Sequence, residues 1–159
     1  MEKVAYIETS VPSAHESHRT DPGSQYRRRV TREWWEQEAR QYELVTSDVT
    51  LIELRAGSYP GQEDAIALVQ NLPRLEVTDE VVAVAEVYVQ HHLMPAPVAG
   101  DALHLALASV NEVDYLLTWN LRHLANPNKV EHMTVINRRL GLLTPVILSP
   151  ELLWNEDAT

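Results

Sequence analysis

Four polar side chains stand where an apolar run stops or where apolar neighbours should leave no room for them. Glu8 follows Val4-Ala5-Tyr6-Ile7, and Glu53 interrupts Thr50-Leu51-Ile52-Glu53-Leu54. Asp101 precedes Ala102-Leu103-His104-Leu105-Ala106-Leu107-Ala108, and Asn120 ends Tyr115-Leu116-Leu117-Thr118-Trp119. Burying an ionised carboxylate among Leu and Ile is costly unless a cation or donor compensates it, which makes Glu53 the hardest of the four to dismiss. Three carboxylates brought together repel one another unless a divalent cation neutralises them. Oxygen ligands suit Mg²⁺ or Mn²⁺. An ion of that kind can activate a water and stabilise an in-line displacement at phosphorus. Each residue also has a plain reading. Glu8 could accept backbone N–H groups in a turn, Glu53 could pair with Arg55 or Arg74, Asp101 could be an N-cap and Asn120 a turn residue.

Whether the four meet depends on the elements that carry them. Residues 4–7 read as a strand followed at Glu8-Thr9-Ser10 by a turn or helix start, and Pro12 and Pro22-Gly23 punctuate a polar loop after it. The charged segment 24–41, free of Gly and Pro, predicts a helix, and 43–46 a second strand. Asp48 caps a helix through Leu54 that Gly57 stops, with Glu53 flanking a face formed by Val49, Ile52 and Ala56. A helix over 62–72 closed by Pro73 and a brief strand over 75–77 follow. Asp79 then caps a Val-rich helix to about His91, and Asp101 opens an apolar helix to Val110. A buried strand over 115–119, a helix from about 127 to 140, a strand over 146–148 and a last turn complete the order. Strands alternating with helices imply an α/β fold with a parallel sheet covered on both faces. Ligands in such folds bind beyond the carboxyl ends of the strands, where Glu8 and Asn120 fall.

In order along the chain, four segments together resemble a PIN domain, most nearly the VapC-like toxins of type II toxin–antitoxin systems. They are Tyr6-Ile7-Glu8-Thr9-Ser10, Ser47-Asp48-Val49-Thr50-Leu51-Ile52-Glu53-Leu54, Gly100-Asp101-Ala102-Leu103-His104-Leu105-Ala106 and Leu116-Leu117-Thr118-Trp119-Asn120. The resemblance covers nearly the whole chain. It implies a three-layer α/β/α sandwich with a central, mainly parallel sheet, and a Mg²⁺- or Mn²⁺-dependent ribonuclease. It also implies a homodimer inhibited by a cognate antitoxin protein. By position, Glu8, Glu53 and Asp101 take the places of the family's first, second and third acids, and Thr9 and Ser10 those of the small hydroxyl residues that often follow the first. Two departures stand out. Most members carry Asp where Glu8 adds a methylene, and Asn120 stands near where many carry a fourth acid, which implies a weaker or single metal site.

Other residues complete the picture. Ser10 lies beside the first acid, Thr118 shares a strand face with Asn120 and could donate into the site, and His123 falls at its mouth. His104, one turn after Asp101, reads first as a satisfied core histidine and second as a residue that orients a ligand or contacts substrate. Arg27, Arg28 and Arg29 point about 100° apart on a helix, so only some of them can face RNA phosphates. The competing reading is an exposed helix with Arg32 paired to Glu36. Of Trp34 and Trp35, one should pack in the core and the other face a partner chain, and Trp119 could stack a base or belong to the core.

The net charge of −10 argues against indiscriminate nucleic-acid binding, but it is unevenly spread. Residues 41–118 hold twelve acids and two bases, whereas the flanking segments balance and supply local basic patches. With no cysteine there is neither a disulfide framework nor a thiol nucleophile. No signal-peptide core and no apolar run near 18 residues is present, so a cytoplasmic protein without membrane association is expected. The resulting reading is one PIN-like domain over 1–159, with its core at about 3–153, acting as an endoribonuclease. Glu8, Glu53 and Asp101 hold the ion, Asn120 fixes a water or a phosphate oxygen, and Arg27, Arg28, Ser10, Thr118 and His123 attend the substrate. The alternative is a PIN-like module that binds RNA or protein without cutting. A phosphatase is disfavoured because no Asp nucleophile ends the first strand.

Overall fold

The computed structural model describes residues 2–155, so Glu156 and Asp157, counted among the acids above, lie outside the described residues. Five strands form one sheet: β1 (Lys3–Ile7), β2 (Tyr42–Ser47), β3 (Arg74–Leu75), β4 (Tyr115–Leu117) and β5 (Val146–Leu148), in spatial order β3-β2-β1-β4-β5. Every pairing is parallel. The chain therefore builds outward from β1 to β3, returns across the molecule, and builds outward again from β4 to β5. That reversal puts a switch point between β1 and β4, where Tyr6 pairs with Leu116 and Ile7 with Leu117. At such a point the two connections diverge and leave a crevice at the carboxyl ends.

Among the described residues seven α-helices cover the sheet: α1 (Ser10–His15), α2 (Pro22–Gln37), α3 (Asp48–Arg55), α4 (Gln62–Val69), α5 (Asp79–Gln90), α6 (Asp101–Val110) and α7 (Val130–Arg139). Alternate side chains of each strand enter opposite cores. Tyr6, Val45 and Leu116 join the apolar residues of α5, α6 and α7. Ile7 and Leu117 join Trp34, Leu51, Leu54, Ala65 and Val69 from α2, α3 and α4. This is the expected three-layer sandwich, with α6 the most buried helix, all of residues 102–109 being buried.

Several local expectations are corrected. Of the turn and the helix start open after Glu8 the chain takes the helix, α1, and Pro12 lies in its first turn, where a missing N–H costs nothing, rather than in a loop. Asp48, Asp79 and Asp101 are first helical residues, not caps. The N-cap positions belong to Ser47, Thr78 and Gly100, and the Thr78 hydroxyl accepts the Val81 N–H. On α3 the buried residues are Val49, Thr50, Leu51 and Leu54, while Ile52 is 66% exposed. Arg32 pairs with Glu16 at 3.1 Å and donates to the His15 carbonyl at 2.7 Å, tying α2 to the end of α1 and leaving Glu36 aside. Trp34 is the core tryptophan, its indole N–H donating to the Leu153 carbonyl at 2.7 Å, and Trp35 is half-buried beside it.

Candidate metal centre

The centre lies at the switch point. The Glu8 N–H still donates to Leu117 in the sheet (3.1 Å), and the chain then turns into α1, leaving the carboxylate at the crevice. Its Oε1 accepts the Ser10 N–H (3.1 Å), the Ser10 hydroxyl and the Thr118 hydroxyl (2.7 Å). Thr118 sits at the end of the neighbouring strand, and its Oγ1 in turn accepts the Asn120 N–H at 2.9 Å.

Glu53 projects from the margin between the buried and exposed faces of α3, with 34% of its side chain accessible. Its Oε1 accepts the Thr9 hydroxyl and His104 Nε2 at 2.6 Å. Adjacent hydroxyls of one turn, Thr9 and Ser10, thus anchor two different carboxylates. Neither arginine considered for Glu53 is used: Arg74 pairs with Asp48 at 2.9 Å, and Arg55 is exposed.

Asp101 occupies the first turn of α6, where a negative charge suits the helix dipole. Its Oδ1 accepts Asn120 Nδ2 at 3.0 Å, while Asn120 Oδ1 accepts the His123 N–H at 3.0 Å. Both ends of the Asn120 amide are therefore engaged within the protein, and one of them holds the third acid.

A common pattern emerges. Each of the three carboxylates is pinned through one oxygen, and its second oxygen has no hydrogen bond among the described residues. No fully buried side-chain polar atom in those residues lacks a partner, so the second oxygens are open to solvent or a ligand. Hard oxygen donors held in this way fit Mg²⁺ or Mn²⁺. Ligating atoms of Glu8, Glu53 and His104 lie within 4.8 Å of one another. Asp101 is outside that trio and joins Glu8 through the Asn120–Thr118 bridge.

His104 is wholly buried. Its Nδ1 meets Tyr6 Oη at 2.8 Å, and Tyr6 Oη meets Ser47 Oγ at 2.7 Å. Burial by itself would depress the imidazolium. Tyr6, the hydrogen bond to Glu53 and the charges of Glu8 and Glu53 outweigh it and raise the group above the ordinary histidine range. In the same way burial pushes the Glu53 carboxyl up, but the bond and charge of His104, with the Thr9 hydroxyl, hold it below its usual value.

The remaining sequence candidates fall on either flank. A groove of about 600 Å³ begins at Ser10, Trp119 and Asn120 and runs past Arg27, Arg19 and Tyr59. Arg27 lies over the Trp119 ring at 5.3 Å. That ring is buried and its N–H donates to Thr31 at 2.8 Å, so it is a core residue with a cation on its outer side. Arg28 is exposed and does not line the groove. On the opposite flank His123 is half-buried, with Nδ1 3.5 Å from Lys129 Nζ. Lys129 donates to the Leu93 carbonyl at 2.9 Å, and burial lowers its ammonium against the opposing charge of Asp101.

Sequence reading passed over Tyr6, Ser47 and Lys129. A tyrosine in the innermost strand was a usable signal, since a buried phenol needs a partner. Ser47 and Lys129 offered none, because Tyr6 and the Leu93 carbonyl, which they meet, are distant in sequence.

Comparison with known proteins agrees with this architecture. The profile of the PIN domain matches residues 5–126. The chain superposes on the crystal structure of FitAcB from Neisseria gonorrhoeae with a TM-score of 0.53 and 13% identity, over 94% of this chain and 99% of that one. A comparison with curated proteins finds no match.

Proposed function

Because the chain belongs to the PIN domain family, whose members are in general metal-dependent nucleases, we propose that it is a Mg²⁺- or Mn²⁺-dependent endoribonuclease, the toxin of a toxin–antitoxin pair. The observation that carries this reading is the shared state of Glu8, Glu53 and Asp101: one oxygen of each is fixed by the protein and the other is open. Those three residues would hold the ion. When bound, it supplies an activated water and offsets negative charge at the scissile phosphate.

This chain's own residues do the positioning. Ser10 and Thr118 orient Glu8, the Thr9 hydroxyl binds Glu53, and Asn120 orients Asp101. Arg19 and Arg27 lie along the groove that meets the site and suit backbone phosphates of a single strand, with His123 on the other side. The Glu8 and Asn120 departures are accommodated locally. The longer Glu8 side chain is tied back by three donors, and Asn120 supplies an N–H where a fourth acid would add repulsion.

Homodimerisation and restraint by a cognate antitoxin complete the proposal and rest on the family resemblance, and a cytoplasmic setting rests on the sequence pattern. No helix among the described residues is long and apolar enough to cross a membrane. The test is cleavage of pooled RNAs with Mn²⁺. Asp101→Asn or Glu53→Gln should abolish cleavage while circular dichroism and melting show a folded protein. Cleavage unchanged in both variants would refute the assignment.

A further inference from the structure

One polar side chain of the centre has no counterpart among the three acids. Leu would serve the packing of α6 at position 104, since residues 102–109 are buried throughout. The protein instead places a histidine there, with both ring nitrogens engaged. Ser47 Oγ, Tyr6 Oη and His104 Nδ1 follow one another at 2.7 and 2.8 Å, and His104 Nε2 reaches Glu53 Oε1 at 2.6 Å. The Thr9 hydroxyl closes on the same carboxylate oxygen. The ring of Tyr6 also meets the imidazole edge-on, at 5.7 Å between centroids. Side chains from β1, β2, α3, α6 and the β1–α1 turn thereby form one connected relay.

Within that relay Ser47, Tyr6 and His104 are wholly inaccessible, whereas the Glu53 side chain is 34% exposed. The rigid end is in the core and the working end is at the crevice. Glu53 needs such support, because it stands on an eight-residue helix and reaches the site through a long, flexible side chain.

We propose that His104 is a positioning residue of the metal centre, holding Glu53 through Oε1 so that Oε2 is presented to the cation. The inference rests on the metal-dependent reading above and assigns His104 a role outside the ligand set. A direct ligand role fits the distances less well. Adjacent ligands of an octahedral ion at ~2.1 Å stand about 3.0 Å apart. The His104–Glu53 contact is shorter, 2.6 Å, and is that of a charge-assisted hydrogen bond. Outer-shell partners of this kind change metal affinity by about 10–100-fold when removed.

The experiment measures Mn²⁺ affinity on the full chain by calorimetry and by electron paramagnetic resonance, with circular dichroism and melting recorded alongside. His104→Leu removes both hydrogen bonds and should weaken Mn²⁺ binding by about 10–100-fold. His104→Gln, whose amide N–H can reach Glu53 Oε1, should restore affinity to within a few-fold. The Mn²⁺ spectrum of the unmodified protein should show no nitrogen coupling. If His104→Leu does not fold, Tyr6→Phe carries the test: it keeps the imidazole, cuts its anchor and should weaken Mn²⁺ several-fold. Unchanged affinity in the folded variants, or a nitrogen coupling lost in His104→Gln, would overturn the proposal. RNA cleavage by the unmodified protein, assayed separately, isolates the other reading. Cleavage with a Mn²⁺ affinity indifferent to His104 sinks only the positioning role, and His104-dependent Mn²⁺ binding without cleavage sinks only the ribonuclease.

Discussion

Replacing Thr118 by Val tests the bridge between the first and third acids. Thr118 is wholly buried, and the two side chains have nearly the same shape, so the substitution opens no cavity. It removes one oxygen that makes the 2.7 Å donation to Glu8 Oε1, the 2.9 Å acceptance from the Asn120 N–H and a longer, 3.3 Å contact with the Ser10 hydroxyl. A hydrogen bond to a charged group contributes about 1.5–3 kcal/mol, and an unsatisfied N–H costs about 1–3 kcal/mol. Glu8 retains its two donors from Ser10, and burying a methyl in place of a hydroxyl recovers about 1 kcal/mol, so the net loss is about 2 kcal/mol. For a chain of this size that lowers the melting temperature by about 4–8 °C. Mn²⁺ affinity should fall about 10–100-fold as well, because Glu8 and the Asn120–Asp101 pair lose their common support. Thr118→Ser keeps the hydroxyl and should bind Mn²⁺ as the unmodified protein does, losing only the stability of one buried methyl. A Thr118→Val protein that melts within 1 °C of its parent (an order-of-magnitude bound, about 0.3 kcal/mol) and binds Mn²⁺ equally well would refute the bridge.

Two further predictions address the groove and the core beneath α5 and α6. Arg27→Gln should weaken RNA binding in EDTA uniformly across sequences and reduce the salt slope by about 0.7–1, whereas Arg28→Gln should leave the slope unchanged, since only Arg27 lines the groove. Equal slopes for the two variants in fluorescence anisotropy would place the strand elsewhere. Tyr88, buried among the α5–α6 residues, donates its hydroxyl to Asn137 Oδ1 at 2.5 Å, and burial pushes the phenol up to about 12. A folded-state value above the unfolded one means that this contribution is intact below pH ~10 and is lost as pH rises toward ~12, by about 3 kcal/mol over the window. Tyr88→Phe should cost about 1–3 kcal/mol at neutral pH, by orphaning the Asn137 oxygen, and the gap to the parent should close across that window. A gap independent of pH in denaturant titrations would contradict the assignment.

How much could be read beforehand differs between fold and site. The strand–helix alternation and the order of the apolar runs were legible, because each strand is a short local burst of apolar residues. Element ends were less so. Ser47, Thr78 and Gly100 take the cap positions from the aspartates that follow them, since a cap depends on the backbone angle at which the chain enters the helix. On α3 the position of the sheet, not periodicity alone, selected Thr50, Leu51 and Leu54 over Ile52 and Ala56. Arg32 left its helical neighbour Glu36 for Glu16 because α1 packs against α2 and offers a carbonyl and a carboxylate together. The acids themselves stood out as charges at the ends of apolar runs, whereas Tyr6 and Ser47 did not, each being an ordinary residue until its partner is known.

By itself, the sequence determined the class of fold, the candidate acids and the uneven distribution of the −10 charge. All three are properties of residue type and local order. Tertiary structure alone decided what holds those acids. Thr118 reaches Glu8 across 110 positions, His104 reaches Glu53 across 51, and Tyr6 reaches His104 across 98. Bonds of that span exist only once parallel strands bring β1, β4 and α6 to a common edge. The physical reason is directional: a carboxylate's type shows in the sequence, but which of its two oxygens is occupied depends on donors that only the folded chain places within 3 Å.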